Sequence, residues 1–544
     1  MSRRQMLLLV VLSSWGWAGC EDRLPPTPQI TAVHPAWIPS GSEIWLTIQG
    51  TGFEPKVVFD PRSSDIAVDE DFSVSVNGVP ASEIRRTSAG TLAVRFPAIE
   101  ASSTALSLTV ETPFGTRAEA AGLACIGEGE ERLVQLCVGQ GLQLMLCEAP
   151  TAGGTVTPLV AVAPHSHLPY FVSTLDGSVL ATYEAVSETE LRLVLVWPDR
   201  PGEILPVTEA AAWRTKLPDG GYESLHGGRL PFDLGAFTPE GDALVFLAGH
   251  RELRIASVPR SPTDGPVRIR TRYVLPASKQ GILDDLDIDP TGRYVLASYV
   301  RAPDPQGWLS LEGRSLFLLA LEGQSEPIAL LDDPDHSDGP AVFLPGADRI
   351  LFVSDRTGIE VPVEGPDKKW KMVGLQGLFT LDLKTLEVEP LTSSWIMVFM
   401  GAPMVSADGY WAALPGYLAD TRKSGPDDLL LVHLEDGAVY RALADAGHEC
   451  TSLSEGGCPS GELGLQFSRD GRRLLFLSAR YVPGEHSSEE SEFRTVELRL
   501  PTEEELPRVE GGMESGDRTL PLTYLRFMDD TVGLGYRTRF SPCR

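Results

Sequence analysis

Hydrophobic and polar positions alternate in short runs along most of the chain, and turn residues separate the runs. In IWLTIQ (44–49), for example, Ile44, Leu46 and Ile48 fall on one face of an extended strand. Long stretches with the 3.6-residue periodicity of an amphipathic helix are scarce. The pattern therefore predicts an all-β protein built from many short strands.

The first strands are joined by tight turns that favour glycine. They lie in PQITAVHPAWIPSGSEIWLTIQGTGF (28–53), VSVNGVPASEIRRTSAGTLAVRFP (74–97) and LSLTVETPFGT (106–116). The Asn77–Gly78 pair predicts a two-residue hairpin. The G-T-G-F segment predicts a bend followed by an aromatic plug, because glycine adopts a positive φ that a Cβ resists.

This series of motifs resembles an IPT/TIG domain. The resemblance implies an immunoglobulin-like β-sandwich over residues 29–120, with an acidic insertion around 65–71. Modules of this family in exported bacterial proteins serve as spacers or binding modules, and they bring no catalytic residues.

A second pattern recurs through the rest of the chain: a hydrophobic residue, a turn with Asp-Gly or an equivalent, and an apolar strand. Its copies are 173–185, 236–249, 287–299, 342–358, 404–416, 466–480 and 525–537. Aligned on the turn glycine or its substitute, they lie at 177, 241, 292, 347, 409, 471 and 529. Spacings of 51 to 64 residues suit four strands per repeat.

Another element, a strand–turn–strand, lies between these copies at 191–207, 315–331, 378–391 and 429–443. We expect the first element to supply the inner strands of each blade and the second element the outer strands. Segment 142–160 is an outer element with no inner partner before it, and 525–537 is an inner element with no outer partner after it. Joining the two predicts a closed seven-bladed ring. Six blades is the alternative if 173–185 or 525–537 is irregular loop.

The repeats resemble the TolB-like (PD40) β-propeller, and the best matches are FSRDGRRLLFLSAR (467–480) and FLPGADRILFVSDRTG (343–358). Tryptophan is missing from the motif, Gly346–Ala347 replaces Asp-Gly, and Asp529 stands at a glycine position. The resemblance implies a propeller over residues 142–544, with residues 121–141 as a linker. The TolB companion domain is absent, so no role in the Tol system is implied.

The N-terminal residues have the order of a bacterial export signal. Arg3 and Arg4 precede the apolar run 6–12, and Trp17-Ala18-Gly19-Cys20 resembles a lipobox. The resemblance implies a signal peptide over 1–19, acylation of Cys20 and a tether over 20–28; an ordinary signal peptide with a chance cysteine is the alternative. Glu rather than Asp follows Cys20, which favours the outer membrane, facing either the periplasm or the outside.

Charge narrows the set of partners. The net charge is −29, and removal of Arg3 and Arg4 with the signal would make it −31. Such a field repels nucleic acid and anionic lipid headgroups, so we expect no nucleic acid partner and membrane contact only through the lipid.

Six cysteines besides Cys20 predict disulfides, because an even number is typical of an exported chain. Cys450 and Cys458 bracket a short loop and are expected to pair. Pairing among Cys125, Cys137, Cys147 and Cys543 stays open between three connectivities. No CxxC spacing occurs, so a zinc site is not expected.

Catalytic motifs are missing from the sequence. It contains no G-x-S-x-G, no H-E-x-x-H and no phosphate-binding glycine loop before a helix. The last repeat ends close to Arg544, which leaves no room for a hydrolase domain. We therefore predict a non-enzymatic protein with no cofactor.

Three short segments could bind ions. His165 and His167 are spaced as two imidazoles on one strand face, but no third ligand is near, so a solvated loop is favoured. Asp333, Asp335 and Asp338 are oxygen ligands of the kind that Ca²⁺ takes, but the spacing favours an acidic turn. The DLDID segment (285–289) is interpreted as a strand entry with solvated carboxylates.

The loop VEGPDKKWKMVG (363–374) is the one basic and aromatic patch of this acidic chain. Lys368, Lys369, Trp370 and Lys371 lie between two repeated elements, where propellers place binding loops. A partner contact is one hypothesis. A solvated hairpin whose tryptophan packs on its own blade is the other.

Together these features predict a membrane-anchored lipoprotein that binds or scaffolds an unknown envelope protein. The alternative is a carbohydrate-active or carbohydrate-binding propeller with its site in the central channel. A cluster of His, Tyr and Arg side chains at the channel mouth would favour the enzyme, and an apolar patch on the rim would favour the scaffold.

Overall fold

The computed structural model describes residues 27–539, apart from a set of internal segments. Those segments are 35–36, 40–42, 61–64, 100–104, 127–129, 139–143, 151–155, 163–170, 175, 218–221, 225–229, 279–280, 302–312, 324–325, 359, 365–369, 375, 393–395, 399–401, 419–427, 443–462, 469–471, 481–491, 502–504, 506–517, 520–524 and 529–531. The described residues form strands and turns, and no helix among them could span a membrane.

The N-terminal domain is a sandwich of two sheets. The first sheet has the order β1 (Gln29–His34), β3 (Ile44–Thr51), β9 (Thr91–Phe96), β8 (Glu83–Ser88). The second has the order β2 (Trp37–Pro39), β11 (Arg117–Ile126), β10 (Ala105–Glu111), β6 (Ser73–Val76), β7 (Val79–Pro80). The acidic insertion forms a hairpin of β4 (Lys56–Asp60) and β5 (Asp65–Asp69).

The core of this sandwich confirms the predicted strand faces. Leu46 and Ile48 are fully buried, and Phe53 after the glycine bend is buried beside them. Asn77 and Gly78 both have positive φ, 47° and 81°, as the hairpin requires. The alternation of apolar residues therefore fixed both the face and the register of these strands.

Seven further sheets, most of them four-stranded, follow in the described part of the chain. The first contains β12 (Glu130–Val138), β13 (Leu144–Pro150), β14 (Thr157–Ala161) and β46 (Val532–Arg539). The second contains β15 (Phe171–Ser173), β16 (Leu180–Ala185), β17 (Glu190–Val196), β18 (Ile204–Pro206) and β19 (Ala211–Ala212). A hairpin of β20 (Arg214–Lys216) and β21 (Tyr222–Ser224) follows it. The third contains β22 (Phe232–Phe237), β23 (Ala243–Ala248), β24 (Glu252–Ser257) and β25 (Ile269–Val274).

The remaining sheets follow the same order. The fourth contains β26 (Ile282–Ile288), β27 (Tyr294–Val300), β28 (Arg314–Ala320) and β29 (Ile328–Leu331). The fifth contains β30 (Asp338–Phe343), β31 (Arg349–Ser354), β34 (Gly377–Asp382) and β35 (Val388–Pro390), with the hairpin β32 (Glu360–Glu364) and β33 (Trp370–Gly374) inserted. The sixth contains β36 (Ile396–Val398), β37 (Met404–Val405), β38 (Trp411–Leu418), β39 (Asp428–His433), β40 (Val439–Arg441) and β44 (Arg518–Thr519). The seventh contains β41 (Leu463–Phe467), β42 (Arg473–Arg480), β43 (Glu492–Arg499) and β45 (Leu525–Met528).

Each pair of successive sheets shares one apolar cluster. In β23, Val245 and Leu247 pack toward the fourth sheet, while Leu244 and Phe246 pack toward the second. The first strands of neighbouring sheets also touch, as β22 touches β15 on one side and β26 on the other. Sheets that stack side by side in this way form a β-propeller.

The aligned turns have one shared geometry. The residues at positions 177, 241, 292, 347 and 409 have φ of 66°, 70°, 67°, 60° and 75°. Each N–H donates to the carbonyl oxygen three residues earlier. Ala347 adopts this left-handed conformation even though it carries a Cβ. The described turns thus confirm the repeat alignment, while positions 471 and 529 lie outside the described residues.

Two parts of the sequence prediction need correction. Residues 121–141, predicted as a linker, contain the end of β11 and the whole of β12. Segment 525–537, predicted as one element, is divided, because β45 pairs with β43 in the seventh sheet whereas β46 pairs with β12 in the first. That second pairing is the contact that a closed ring requires.

Candidate functional site

The direction of the chain gives the propeller two different ends. The turn face is the end that carries the aligned turns (residues 177, 241, 292, 347 and 409). The entry face is the opposite end, at which the first strands β22, β26 and β30 begin. Because all first strands run the same way, side chains near their first residues meet at the entry face.

The N-terminal sandwich packs on the turn face. Trp45 Nε1 donates a hydrogen bond to the carbonyl oxygen of Asp408, 3.3 Å away. The guanidinium carbon of Arg95 lies 4.0 Å from the centre of the Tyr410 ring. Burial works to lower the pKa of Arg95, but Glu43 and Tyr410 outweigh it and raise that pKa.

Two ionic contacts extend the same interface to other sheets. Arg85 Nη1 lies 3.8 Å from Asp348 Oδ1, and His34 contacts the carboxylate of Glu240. Burial favours a higher pKa for Glu240, but its hydrogen bond to His34 lowers that pKa overall. The sandwich therefore contacts the third, fifth and sixth sheets at their turns.

A small polar cleft lies beside this interface. It has a volume of about 390 Å³ and is lined by Arg85, Asp348, Arg349, Thr380, Asp382, Glu387 and Glu389. Burial acts to raise the pKa of Asp382, but the backbone N–H groups of Thr385 and Lys384 outweigh it and lower that pKa. The lining side chains are nearly all charged, whereas pockets for apolar ligands are lined mostly by hydrophobic and aromatic residues.

At the entry face, a buried arginine joins two carboxylates of β26. Arg314, whose side chain is 3% exposed, donates to Asp285 at 2.5 Å and to Asp284 at 3.1 Å. Burial works to lower the pKa of Arg314, but Asp285 and Asp284 outweigh it and raise that pKa. Asp285 has a φ of 46° at a bulge in β26, and this bulge lets adjacent residues reach the same partner.

The third sheet adds two further groups to this cluster. The ligand atoms of Asp233 on β22, His250 after β23 and Asp284 lie within 4.8 Å of one another. His250 is 9% exposed, and its Nε2 lies 3.0 Å from the carbonyl oxygen of Leu230. We call Asp233, His250 and Asp284 the entry-face triad.

The fifth sheet has its own ion pair at the same end. Asp338, which is fully buried, accepts hydrogen bonds from both ends of the Arg356 guanidinium fork at 2.8 and 2.7 Å. The Ser354 hydroxyl donates to the same carboxylate at 2.7 Å. The pKa of Arg356 is raised, first of all by its hydrogen bond to Asp338. Such a bidentate pair is rigid and fixes both side chains.

Asp287 lies further along β26 and links this first strand of the fourth sheet to β30, the first strand of the fifth. Its carboxylate accepts the N–H of Phe343 in β30 at 2.6 Å and the N–H of Ile288 at 2.9 Å. Burial nevertheless raises its pKa to about 6, and nearby Asp289 adds to the shift. Residues 285–288 of the DLDID segment therefore lie in a strand, as predicted, but Asp285 and Asp287 are not solvated as expected, because Asp285 binds Arg314 and Asp287 binds β30.

The three calcium candidates do not act together. Asp338 is occupied by Arg356, while Asp333 accepts the N–H of Asp335 at 3.0 Å and lies 3.8 Å from Arg356. Asp335 itself is exposed. Among the described residues, the group of three side chains whose ligand atoms all lie within 4.8 Å of one another is Asp233, His250 and Asp284, and it includes none of the three calcium candidates.

Several other predicted sites lie partly or wholly outside the described residues. Cys20, His165, His167, Lys368, Lys369, Cys450 and Cys458 are outside them, and only the backbone of Trp370 and Lys371 is described, as the start of β33. That strand pairs with β32. Cys147 is buried in β13, and the pairing of the cysteines remains a prediction.

The sequence pattern did not predict the entry-face triad, although the aligned repeats contain a signal for it. Asp233 and Asp284 both stand eight residues before the turn glycine of their copy. A shared acidic position near the start of two first strands predicts neighbouring carboxylates in a ring. No such signal marks His250 or Arg314. His250 follows β23 and Arg314 begins β28, and the loops before these positions differ in length between repeats, so the two residues do not align with each other.

Comparison with known proteins identifies the N-terminal domain. The IPT/TIG domain model matches residues 28–121. No curated protein sequence matches the chain.

Similar solved structures include TolB from Acinetobacter baumannii. The match has 11% identity, covers 79% of this chain and 77% of that chain, and has a TM-score of 0.32. A putative 6-phosphogluconolactonase from Bacteroides fragilis has 11% identity, 76% and 98% coverage and a TM-score of 0.39. An oligogalacturonate lyase in complex with manganese has 14% identity, 69% and 98% coverage and a TM-score of 0.35.

At these values the structural similarities transfer no function, and the propeller assignment rests on the sheet topology above. Residues 28–121 of this chain form an IPT/TIG domain, and a β-propeller follows it.

Proposed function

We propose that the protein is a non-enzymatic binding or scaffolding module of the cell envelope, tethered to the outer membrane through Cys20. The observation that carries this proposal is the docking of the IPT/TIG domain on the turn face. Trp45 and Arg95 contact Asp408 and Tyr410, so the two domains are coupled. A domain fixed at one end of the propeller acts as a spacer that leaves the other end accessible to a partner.

The entry face has properties that suit recognition. Arg314 and Arg356 are each held by buried or half-buried carboxylates, which fixes the pattern of charge at this end. The chain as a whole is acidic, with a net charge of −29. We therefore expect the partner to be an envelope protein with a basic surface, and we expect association to weaken as salt is added.

The test is crosslinking and pull-down of the full-length lipidated protein from membranes, with Cys20→Ala as the unanchored control. We expect one protein to be recovered in stoichiometric amount from the wild type and in a reduced amount from the control. Recovery of glycan fragments without protein would overturn the scaffold and favour the carbohydrate-directed alternative.

The contribution of the basic segment 363–374 to partner binding is tested in the same experiment. The double variant Lys368→Ala, Trp370→Ala is expected to lower partner recovery several-fold if this segment contacts the partner. Lys384→Ala is the matched control, because Lys384 is an exposed lysine in another turn of the same sheet. Unchanged recovery with the double variant would exclude the segment from the interface.

A further inference from the structure

The entry-face triad combines three ligands of two types, two carboxylates and one imidazole, from three segments of the chain. Asp233 lies on the first strand of the third sheet, His250 follows the second strand of that sheet, and Asp284 lies on the first strand of the fourth. Their ligand atoms are within 4.8 Å of one another. Metal ions bind such atoms at about 2.0–2.2 Å, which places ligand atoms at most about 4.4 Å apart, so small side-chain rotations suffice.

The surroundings of His250 orient its ring. Nε2 lies 3.0 Å from the carbonyl oxygen of Leu230, a contact that is a hydrogen bond only when Nε2 carries the proton. In the neutral ring, Nδ1 then carries the lone pair. Metal-binding histidines commonly donate their other N–H to a backbone carbonyl in this way.

The surroundings of Asp284 have the same character. Arg314 donates to its Oδ2 at 3.1 Å, which holds the carboxylate in place and leaves Oδ1 as the ligand atom that we assign. Metal-bound carboxylates are themselves commonly hydrogen-bonded. The Nε of Arg314 is also buried and has no hydrogen-bond partner among the described residues. Buried donors are normally paired, and an oxygen bound at this site would accept a hydrogen bond from it.

We propose that Asp233, His250 and Asp284 bind a divalent transition-metal ion at the entry face of the propeller. One imidazole nitrogen with two carboxylate oxygens suits first-row ions such as Mn²⁺, Fe²⁺, Co²⁺ or Zn²⁺. Ca²⁺ favours a larger set made only of oxygens. Three protein ligands leave positions for water or for an oxygen of a bound partner.

The test is titration of the full chain, purified in detergent, with Co²⁺. The absorption bands of Co²⁺ report nitrogen and oxygen ligation. We expect one ion per chain, a raised thermal midpoint on binding, and no displacement by excess Ca²⁺. His250→Asn and Asp233→Asn should each weaken binding by about 100-fold or more, since the loss of supporting contacts alone costs 10–100-fold. Asn tolerates the positive φ of residue 250, which is 53°.

His336→Asn is the matched control, because His336 lies 3.3 Å from Asp355 and 4.0 Å from Asp333 but outside the triad. It should leave Co²⁺ affinity unchanged. Circular dichroism of the metal-free variants separates lost binding from lost folding. If His250→Asn fails to fold, Asp233→Asn, near the start of β22, still tests the metal site. Absence of saturable Co²⁺ binding by the wild type, or equal affinity in folded triad variants, would overturn the proposal.

Discussion

At the level of single residues, the environment of Asp287 shifts the titration of its carboxyl group. Its pKa is raised to about 6 from an ordinary value of 3.8, because burial disfavours the charged form more than two N–H donors favour it. The folded protein therefore holds a proton here at pH values where the unfolded chain has released it. Stability should fall as pH rises from about 4 to about 6 and should then level off.

Asp287→Asn removes the titration of this carboxyl from both the folded and the unfolded protein. Between pH 5 and pH 7.5 this carboxyl should remove about 1.4 kcal/mol from the free energy of unfolding, the equivalent of one pKa unit. Asp287→Asn should lack that loss, which urea unfolding at the two pH values can measure. A constant difference between the two proteins at both pH values would show that the carboxyl has an ordinary pKa.

At the level of elements, Tyr183 connects the second sheet to the third. Its hydroxyl on β16 donates to the carbonyl oxygen of Phe232 at 3.0 Å and accepts the N–H of Leu234 at 3.1 Å. These two backbone groups lie beside a bulge in β22, where pairing with β23 is interrupted. A side chain of one blade thus completes the hydrogen bonding of the next blade.

Tyr183→Phe should lower the free energy of unfolding by about 2 kcal/mol, because one buried and one partly buried backbone group lose their partner. Chemical denaturation measures this loss. Tyr294→Phe in the fourth sheet is the control and should change stability by less than about 0.5 kcal/mol, since its hydroxyl makes no hydrogen bond within the described residues. Equal effects of the two substitutions would remove the proposed role of the Tyr183 hydroxyl.

The sequence predicted elements better than contacts between elements. The inner and outer strand pairs were found because apolar residues and turn glycines repeat locally, as in 236–249 and 315–331. Strand β12 was missed because its sequence, EERLVQLCV, precedes the first repeat and matches neither repeated element, although Gly127 and Gly129 stand before it. The Asp284–Arg314 pair spans 30 residues, and its formation depends on how the strands of one sheet bring distant residues together.

At the level of the whole molecule, the protein combines two domains through a polar interface rather than an apolar one. Arg95 stacks on Tyr410, Trp45 donates to a turn carbonyl, and Arg85 lies 5.1 Å from the Trp45 ring and 3.8 Å from Asp348. Each contact is worth about 0.5–2 kcal/mol, so their sum couples the domains without making them a single core. The spacer role proposed for the IPT/TIG domain depends on this coupling.

The double variant Trp45→Ala, Arg95→Ala should therefore uncouple unfolding of the two domains. We expect calorimetry of the wild type to show one joint transition and that of the variant to show two, with the propeller transition close to its original midpoint. Arg117→Ala removes an exposed pair with Glu111 on the same domain, 3.1 Å apart, and should keep the joint transition. If the wild type already unfolds in two independent steps, or the double variant keeps one step, the interface does not couple the domains. The entry face would then have no fixed orientation relative to the membrane tether, and the scaffold proposal would lose its structural basis.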